Sequence, residues 1–366
     1  MGAASTRESA GVSAASAARR AGAVDFTLAG VRVRVTTDAP EYARFLKAYV
    51  QRAATEPGQP ADVEIQARWL MDPLGHKRLP PVEAAQELAA IGSNAWLAGT
   101  RLVKLEKIRR RRFRFDFRLA ERRLSAQITC HARGLSTCLE RRDDALYANL
   151  SYYLVFYPLF WYLEAFRGTH LLHAAAVQAG ASTMIVFGLD GAGKTLLTLG
   201  ALGRWPQARV IADNLILHDG SSIMSCLQPV KVRHEHESLV PRDRLTRLAS
   251  YELRSYYEPK EPVLSQAVER GLFLLPRFTG APSLEPVDRE EALRVIEATN
   301  GLPFEVETYD HYARLLNLLG SGTSLAPARR EALRALLARC EVYRVGIGKG
   351  ERVEQVMARI AERTNR

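Results

Sequence analysis

Residues 183–195 read TMIVFGLDGAGKT, and this stretch decides what kind of fold the chain adopts. The apolar run TMIVF predicts a buried strand. The next eight residues fit the pattern G-x-x-x-x-G-K-[ST], with Gly188, Gly193, Lys194 and Thr195 at its fixed positions. Glycines let successive backbone N–H groups turn inward around phosphate oxygens, and a helix that begins there points its positive end at them. The sequence therefore predicts a phosphate-binding loop.

Each residue of this loop, which we call the cradle loop, has an expected role. Lys194 would neutralise the β- and γ-phosphates of a nucleotide, and the Thr195 hydroxyl would bind Mg²⁺. The other members would hold the phosphates from the backbone: Gly188, Leu189, Asp190, Gly191, Ala192 and Gly193. A chance match in a strand-to-helix turn is the alternative. The apolar strand before the loop and the apolar helix KTLLTLGALG after it supply the context that the motif requires.

The next hydrophobic run that ends in an acidic residue is RVIAD, whose Asp213 comes eighteen residues after Thr195. One helix and one strand would bring Asp213 back beside the cradle loop, where it would share the Mg²⁺ with Thr195. This spacing favours a compact kinase over a large mechanical ATPase, and the lack of an N-K-x-D tetrapeptide argues against a GTPase. The following residue, Asn214, can bind metal through its carbonyl oxygen but cannot act as a base.

His173 lies in LLHAAAVQAG, a run predicted to form a strand and to fold back onto the cradle strand around Gly180. A histidine between leucine and alanines is usually a core residue, but this hairpin would bring it near the γ-phosphate. His170 is interpreted as structural. Glu235 and Glu237, in VKVRHEHES, are candidates for a second metal carboxylate, with a solvated loop as the alternative.

The rest of the chain predicts a modular organisation. Four segments are expected: a disordered tail at 1–22, a small α+β domain at 23–140, a helical connector at 141–168 and an α/β domain at 169–366. In the α+β domain, 25–37 alternates as a strand, Asp38 and Glu41 form a capping box, and a helix is expected near 82–91.

Composition favours a soluble cytoplasmic protein. The four cysteines lie far apart without metal-ligand spacing, which is typical of reduced thiols. The apolar stretch 153–166 is too short to span a bilayer, contains Pro158 and is interpreted as a buried helix.

The net charge of +11 is concentrated in residues 101–123, which hold eleven Lys or Arg against three Asp or Glu. Here FRFDFRL and LSAQITCHA predict a hairpin that turns at 121–123, with Arg114 and Arg118 on its outward face. Such a face could dock an acidic peptide or protein; a solvated sheet face is the alternative. Nucleic acid is disfavoured, because the aromatic residues alternate inward and no recognition module is visible.

The order LLHAAAV, hairpin, GLDGAGKT, helix and VIADN resembles the C-terminal domain of HPr kinase/phosphorylase. It is more similar still to the HPr-kinase-like proteins of bacterial biosynthetic and regulatory gene clusters. The later elements GLFLLPRF, a capped helix at 288–298 and EVYRVGIG before a final helix are also similar. The resemblance covers roughly 150–350, and only 171–214 is specific.

This resemblance implies an α/β P-loop kinase domain of the HPr kinase/PEP carboxykinase-like type, with a mixed sheet. It implies ATP and Mg²⁺ as cofactors and a serine-type hydroxyl of a protein or peptide as acceptor. His173 falls on the family's active-site histidine and Asp213 on the first of its paired aspartates. The second aspartate, commonly assigned as the proton acceptor, is replaced by Asn214. Either Asp213 takes both roles, or the acceptor mechanism differs, or the kinase is weakened.

Further consequences of the resemblance are limited. The glycine-rich signature of true HPr kinase/phosphorylases is not visible, so the reverse phosphorolysis is not expected. Whether the chain forms a homo-oligomer, as the hexameric HPr kinases do, is left open.

Two other function classes remain at this stage. A small-molecule kinase of the shikimate or nucleoside-kinase type would use the arginine-rich stretch 242–254 as a lid, although such kinases usually begin at the cradle strand. A non-catalytic nucleotide-binding regulatory protein is the other, and Asn214 is its best support.

Overall fold

The computed structural model describes residues 22–74, 76, 79, 88–134, 144–251, 253–320, 322 and 324–364. The chain divides into two compact units, one ending at Phe156 and the other comprising Tyr157–Arg366 together with residues 28–30. The division lies inside the segment predicted as a connector, and the predicted domain boundaries stay predictions. The described residues form a mixed α/β structure, as the sequence predicts.

The first unit is built on a single large sheet. Its strands are, in chain order, β1 Gly22–Leu28, β2 Val31–Thr37, β3 Val63–Asp72, β4 Ala89–Gly92, β5 Ala95–Ala98, β6 Arg101–Ile108, β7 Arg111–Ala120 and β8 Arg123–Arg133. They form an eight-stranded sheet in the order β1-β2-β3-β8-β7-β6-β5-β4. The helices of this unit are α1 Pro40–Tyr49 and α2 Asp144–Ser151, the latter followed by a π-helical turn at Tyr152–Phe156. The Tyr42 hydroxyl of α1 lies 3.1 Å from the Ser151 Oγ of α2.

Three expectations for this unit are wrong. Residues 25–37 are two neighbouring strands, not one, because Ala29 and Gly30 both adopt positive φ and turn the chain. Asp38 does not cap α1: its Oδ1 accepts a hydrogen bond from the Trp69 N–H (2.8 Å), and the N-cap is Ala39. A helix is expected near 82–91, but its last residues belong to strand β4. Residues 81–87 lie outside the described residues.

The basic hairpin is confirmed as β7 and β8, which are joined at Glu121 and Arg122. On its inner face Phe113, Phe115 and Phe117 are fully buried and stacked in a row. On the other face Asp116 lies between arginines: Arg101 binds it through two nitrogens (3.0 and 2.6 Å), and the guanidinium groups of Arg114 and Arg118 lie 3.7 and 3.6 Å away.

The two arginines predicted to face outward differ in how far their side chains are exposed. The Arg118 side chain is 54% exposed, whereas that of Arg114 is only 15% exposed and lies against Asp116. Arg114 offers less of a docking surface than the alternating sequence pattern suggests.

The second unit begins with helix α3 Tyr157–Arg167, which contains Pro158 in its first turn and ends before Gly168. The apolar stretch 153–166 is largely buried, as predicted. None of the helices that the structure describes combines the length and the apolar character needed to cross a membrane.

Thirteen strands follow in the described part of this unit. They are β9 His170–Leu172, β10 Ala174–Ala179, β11 Ser182–Phe187, β12 Ala208–Ala212, β13 Ile216–His218, β14 Ser222–Ser225, β15 Val230–Arg233, β16 Leu245–Tyr251, β17 Arg254–Pro259, β18 Ser265–Ala267, β19 Arg270–Thr279, β20 Ser283–Pro286 and β21 Cys340–Gly348. A six-stranded sheet has the order β12-β10-β11-β19-β21-β20, and two smaller sheets have the orders β18-β14-β13-β9 and β15-β17-β16.

The six-stranded sheet brings four loops to one edge. Strands β11, β19 and β21 are parallel, and β12 runs in the same direction because both β11 and β12 pair antiparallel with β10. The loops that follow these four strands therefore leave the sheet at the same edge. Ligands of open α/β sheets bind outside the carboxyl ends of the strands.

Helices cover both faces of this sheet. The four are α4 Lys194–Arg204, α5 Arg289–Thr299, α7 Ala326–Ala338 and α8 Val353–Thr364, and a further helix, α6, spans Phe304–Leu316. Met184 and Val186 of β11 pack in the core under α4 and α8, and Ile185 and Phe187 pack in the core under α5 and α7. This alternation follows from the side-chain period of two in a strand.

Most of the elements expected here are confirmed: the β10–β11 hairpin turning at Gly180, the Asp219–Gly220 turn between β13 and β14, and strands at GLFLLP and EVYRV. Asp288 caps α5 by accepting from the N–H groups of Glu290 and Glu291. The run ARVIADNLIL is divided between β12 and β13, which belong to different sheets. The stretch 242–254, considered as a lid, lies in the β16–β17 hairpin.

Candidate functional site

The cradle loop joins β11 to α4 at the edge where the four strand ends meet. Gly191 and Gly193 adopt φ of +81° and +103°, which only glycine tolerates without strain. A Cβ at Gly188 would lie 2.8 Å from the Ala192 Cβ. The N-cap of α4 is Gly193, so no side chain occupies the first N–H groups of this described helix. These amides and the helix dipole favour an anion at this point.

Lys194 is the first residue of α4, and its side chain lies across the loop. Its Nζ donates to the carbonyl oxygens of Gly188 (2.8 Å) and Leu189 (3.2 Å), and the residue is only 7% exposed. Burial lowers the pKa of its ammonium group, against the opposing charges of Asp190 and Asp213. The positive charge is thus already removed from water and fixed beside the loop.

Thr195 and Asp213 lie together, as the spacing of one helix and one strand predicts. The Thr195 hydroxyl donates to Asp213 Oδ2 (3.3 Å), and the backbone N–H of Lys231 donates to the same oxygen (3.0 Å). Asp213 Oδ1 is buried and has no hydrogen-bond partner among the described residues. Burial raises the pKa of this carboxyl group, and the two hydrogen bonds oppose the shift. The arrangement offers a hydroxyl and a carboxylate oxygen to a hard cation such as Mg²⁺.

The sequence predicts that His173 lies within a strand. In the structure it lies in the bend between β9 and β10. The chain changes there from the four-stranded to the six-stranded sheet. Asn300, just after α5, holds this bend: its Oδ1 accepts from the His173 N–H (2.8 Å) and its Nδ2 donates to the Leu171 carbonyl (3.4 Å).

The His173 ring faces Asn214 and the cradle loop. Its Nε2 lies 3.1 Å from Asn214 Oδ1 and 3.5 Å from Asp190 Oδ1. Burial, helped by the charge of Lys194, lowers the pKa of His173 to about 4, so the ring is neutral at pH 7. With two oxygens facing Nε2, the arrangement favours the tautomer that is protonated at that nitrogen. Within the described structure, His173 Nδ1 and Asn214 Nδ2 are buried without a partner. We call His173, Lys194, Thr195, Asp213 and Asn214 the cradle cluster.

Sequence reasoning missed three contributors to this cluster. Asn300 lies 127 residues after His173, and the dipeptide Asn300–Gly301 indicates only a helix end. Lys231 contributes its backbone N–H, which no side-chain pattern reveals. The charge of Glu305, in the first turn of α6, opposes the burial that lowers the pKa of both His173 and Lys194.

The two glutamates considered as metal ligands lie in a 3₁₀ helix, His234–Leu239. Glu237 accepts from Ser255 Oγ (2.5 Å) and the Tyr257 hydroxyl (2.9 Å), and these bonds lower its pKa. Glu235 lies 3.5 Å from the Arg233 guanidinium group. Nowhere in the described ranges do three or more His, Cys, Asp or Glu side chains form a metal-binding group. No such group combines Asp213 with the two glutamates in the part of the chain that the structure describes.

A scan of the sequence against protein-family models gave no match, and a search of curated proteins gave no significant match. The functional argument therefore depends on the chemistry of the cradle cluster itself.

Proposed function

We propose that the protein is an ATP- and Mg²⁺-dependent phosphotransferase that moves the γ-phosphate to a hydroxyl group, in the manner of HPr-kinase-like serine kinases. The observation that carries this proposal is the pair formed by the Thr195 hydroxyl and the Asp213 carboxylate at the start of α4. One oxygen of Asp213 is held by hydrogen bonds, and the other is buried without a partner among the described residues. A buried polar atom without a partner is expensive, and a bound cation would satisfy it.

The cradle loop fits a triphosphate. Its amides and the N-terminus of α4 provide donors, and the buried ammonium group of Lys194 provides a charge that is already desolvated. Bound ATP would supply the phosphoryl group, and Mg²⁺ would neutralise its oxygens. Thr195 and Asp213 would hold the cation, while Lys194 would leave the carbonyls of Gly188 and Leu189 for the phosphates.

The proton of the acceptor hydroxyl would pass to Asp213. Asp213 is the carboxylate of the cradle cluster, and Asn214 beside it cannot take a proton. His173 would position the acceptor, since Asn300 holds its backbone N–H and Asn214 contacts its neutral ring. On this reading Asp213 performs both roles of the paired aspartates in the resembled family.

A serine of a protein or peptide is the proposed acceptor, and the basic hairpin of the first unit is the proposed docking surface for an acidic segment of that partner. Arg118 would contribute most, because its side chain is the more exposed of the two predicted arginines. Reversing its charge, Arg118→Glu, should lower transfer to the partner without changing ATP binding. The cytoplasm is the proposed compartment, since it supplies ATP and keeps thiols such as the buried Cys226 reduced.

The decisive experiment adds the purified protein to native cell extract with γ-labelled ATP and Mg²⁺, and then separates the products by size. Wild type is compared with Lys194→Ala and with Lys47→Ala, which removes an exposed lysine of the first unit. Label in a protein or peptide with wild type and Lys47→Ala, but not with Lys194→Ala, would support the proposal.

Three outcomes would contradict it. Full activity of Lys194→Ala would show that the cradle loop does not bind the transferred phosphate. Label only in small molecules would indicate a metabolite kinase, and ATP binding without any transfer would indicate a nucleotide-binding regulatory protein.

A further inference from the structure

A cleft of about 800 Å³ opens beside the cradle loop, at the same edge of the six-stranded sheet. It lies at the carboxyl ends of β19 and β21, between the loop that leads into α8 and the 3₁₀ helix His234–Leu239. Apolar lining is supplied by Leu196, Leu239, Phe278, Ile347 and Val353. No member of the cradle cluster lines it.

The cleft begins where the cradle loop ends. A Cβ at Gly193 would lie 3.1 Å from Ile347 Cδ1 and 3.9 Å from Phe278 Cζ, and both of these residues line the cleft. Leu196, the third residue of α4, lines it as well. In a loop of this type the lysine serves the β- and γ-phosphates. The cleft therefore adjoins the cradle loop at Gly193 and Leu196. His173, which contacts Asn214, lies instead beside Asp190, earlier in the loop.

The chemistry of the cleft suits a flat, apolar ring with polar edges. Phe278 is 61% exposed near the C-terminal end of β19, whereas Leu274 and Leu275 earlier in the strand are buried, so its side chain is accessible to a ligand. The rim at 348–352 is held in place, because Glu351 Oε2 accepts from the Gly348 N–H (2.8 Å) and Oε1 binds Arg359 (2.5 Å). Aromatic side chains that stack on nucleobases contribute a large share of nucleotide affinity.

We infer that this cleft binds the purine base of the nucleotide, stacked on Phe278. The inference rests on the proposed function, since it assigns the base of the same ligand whose phosphates the cradle loop would hold. It also fixes the direction of that ligand, with the base beside Phe278 and the transferred phosphate beside His173.

The test separates the base from the phosphates by titrating the Mg²⁺ complexes of ATP, CTP and inorganic tripolyphosphate into the protein in a calorimeter. Three variants are compared with wild type: Phe278→Ala, Phe278→Trp and Phe304→Ala. Phe304 is the matched control, because it is 62% exposed and does not line the cleft. Circular dichroism checks that each variant is folded.

Phe278→Ala should weaken ATP binding about tenfold or more, with tripolyphosphate affinity unchanged within about twofold. Phe278→Trp should retain ATP affinity, and Phe304→Ala should affect neither ligand. Wild type should prefer ATP over CTP, since a purine offers the larger stacking surface, and Phe278→Ala should lose that preference.

The inference is overturned if Phe278→Ala leaves ATP affinity unchanged, or if it weakens ATP and tripolyphosphate equally. In both cases wild type would still bind both ligands, and the proposed function would stand. If wild type binds neither ATP nor tripolyphosphate, the proposed function itself fails and the inference fails with it.

Discussion

Two buried polar clusters of the second unit differ in how completely their atoms are paired. In the first, which we call the Glu164 cluster, Glu164 Oε1 receives hydrogen bonds from His170 (3.2 Å) and Arg329 Nε (2.8 Å). Its Oε2 receives bonds from Arg329 Nη2 (2.6 Å) and the Tyr309 hydroxyl. Arg329 Nη1 also donates to Asp310 (2.7 Å). Both oxygens of this buried carboxylate are therefore satisfied.

The cradle cluster, by contrast, keeps three buried polar atoms without a partner in the described structure, on His173, Asp213 and Asn214. The pKa values of the two buried carboxyl groups, Glu164 and Asp213, shift in opposite directions because of this difference in pairing. Burial alone would raise the pKa of Glu164, but His170, Arg329 and Tyr309 lower it overall, whereas burial prevails at Asp213 and raises its pKa. A fully paired cluster stabilises the fold, and an incompletely paired one leaves capacity for a ligand.

The largest expected effect on stability comes from Glu164→Gln. The free energy of unfolding should fall by about 3 kcal/mol, because the partly buried Arg329 guanidinium group loses its buried anion and, among the described residues, keeps only Asp310. Urea denaturation measures this change. Glu297→Gln, which breaks the exposed ion pair with Arg330 (3.4 Å), should cost less than about 1 kcal/mol. Equal costs for the two variants would show that the Glu164 cluster stabilises the fold no more than an exposed ion pair does.

The same change from carboxylate to amide at Asp213 should strongly reduce activity and have little effect on stability. Asp213→Asn should lower phosphoryl transfer at least about a hundredfold, since it removes both the cation ligand and the base. Its free energy of unfolding should stay constant or rise slightly, because a buried carboxylate with a raised pKa costs stability. Asp243→Asn, at an exposed site, is the control. A strongly destabilised but active Asp213→Asn would contradict the comparison.

One buried histidine of the cradle cluster and one beside the Glu164 cluster should make the stability of the fold depend on pH. Burial lowers the pKa of His173 to about 4 and that of His218, which lies against His170, to about 3. Both rings are neutral in the fold, while the unfolded chain takes up protons below about pH 6.5. Stability is therefore fully present above pH 6.5 and falls as the pH decreases towards 4, by roughly 1 kcal/mol per pH unit for each histidine.

Denaturation at pH 7.0 and pH 5.0 measures this dependence. His173→Gln and His218→Gln should each reduce it, and only His173→Gln should also reduce phosphoryl transfer. A pH dependence that survives both substitutions would assign it to other groups.

The smallest effect is expected at Asn300, whose hydrogen bond to the cradle cluster is made with the His173 backbone. Asn300→Ala should lower kcat about tenfold and leave KM for ATP unchanged, because the bend that positions His173 loses its two hydrogen bonds. Asn300→Asp keeps the acceptor for the His173 N–H and should lose less. A change in KM for ATP alone would show that Asn300 acts on the cradle loop instead.

The sequence predicts the parts of the site that are close along the chain. Thr195 and Asp213 are linked by one helix and one strand, so their proximity follows from spacing and strand direction alone. His173 needs more, because its position depends on the change from β9 to β10 between two sheets and on Asn300 far along the chain. A competing partner can also prevent a local motif from forming. Asp38 has the spacing of a helix cap, but its side chain accepts a hydrogen bond from the Trp69 N–H instead.

The cleft could not be predicted for the same reason. Its lining combines α4 with residues around 278 and 347–354, which only the parallel pairing of β19 with β21 brings together. No pattern within either segment marks Phe278 as exposed, since it continues the apolar run that is buried earlier in β19.

The position of Lys194 has a consequence for how the protein responds to salt. Its ammonium group lies within the cradle loop and is 7% exposed, whereas the Arg118 guanidinium group of the basic hairpin is largely in water. Mobile ions screen exposed charges strongly and buried charges weakly. Nucleotide affinity should therefore change little between low and physiological ionic strength, while an acidic partner on the hairpin would dissociate. The two interactions would be separable by salt alone, with the nucleotide retained as the partner leaves.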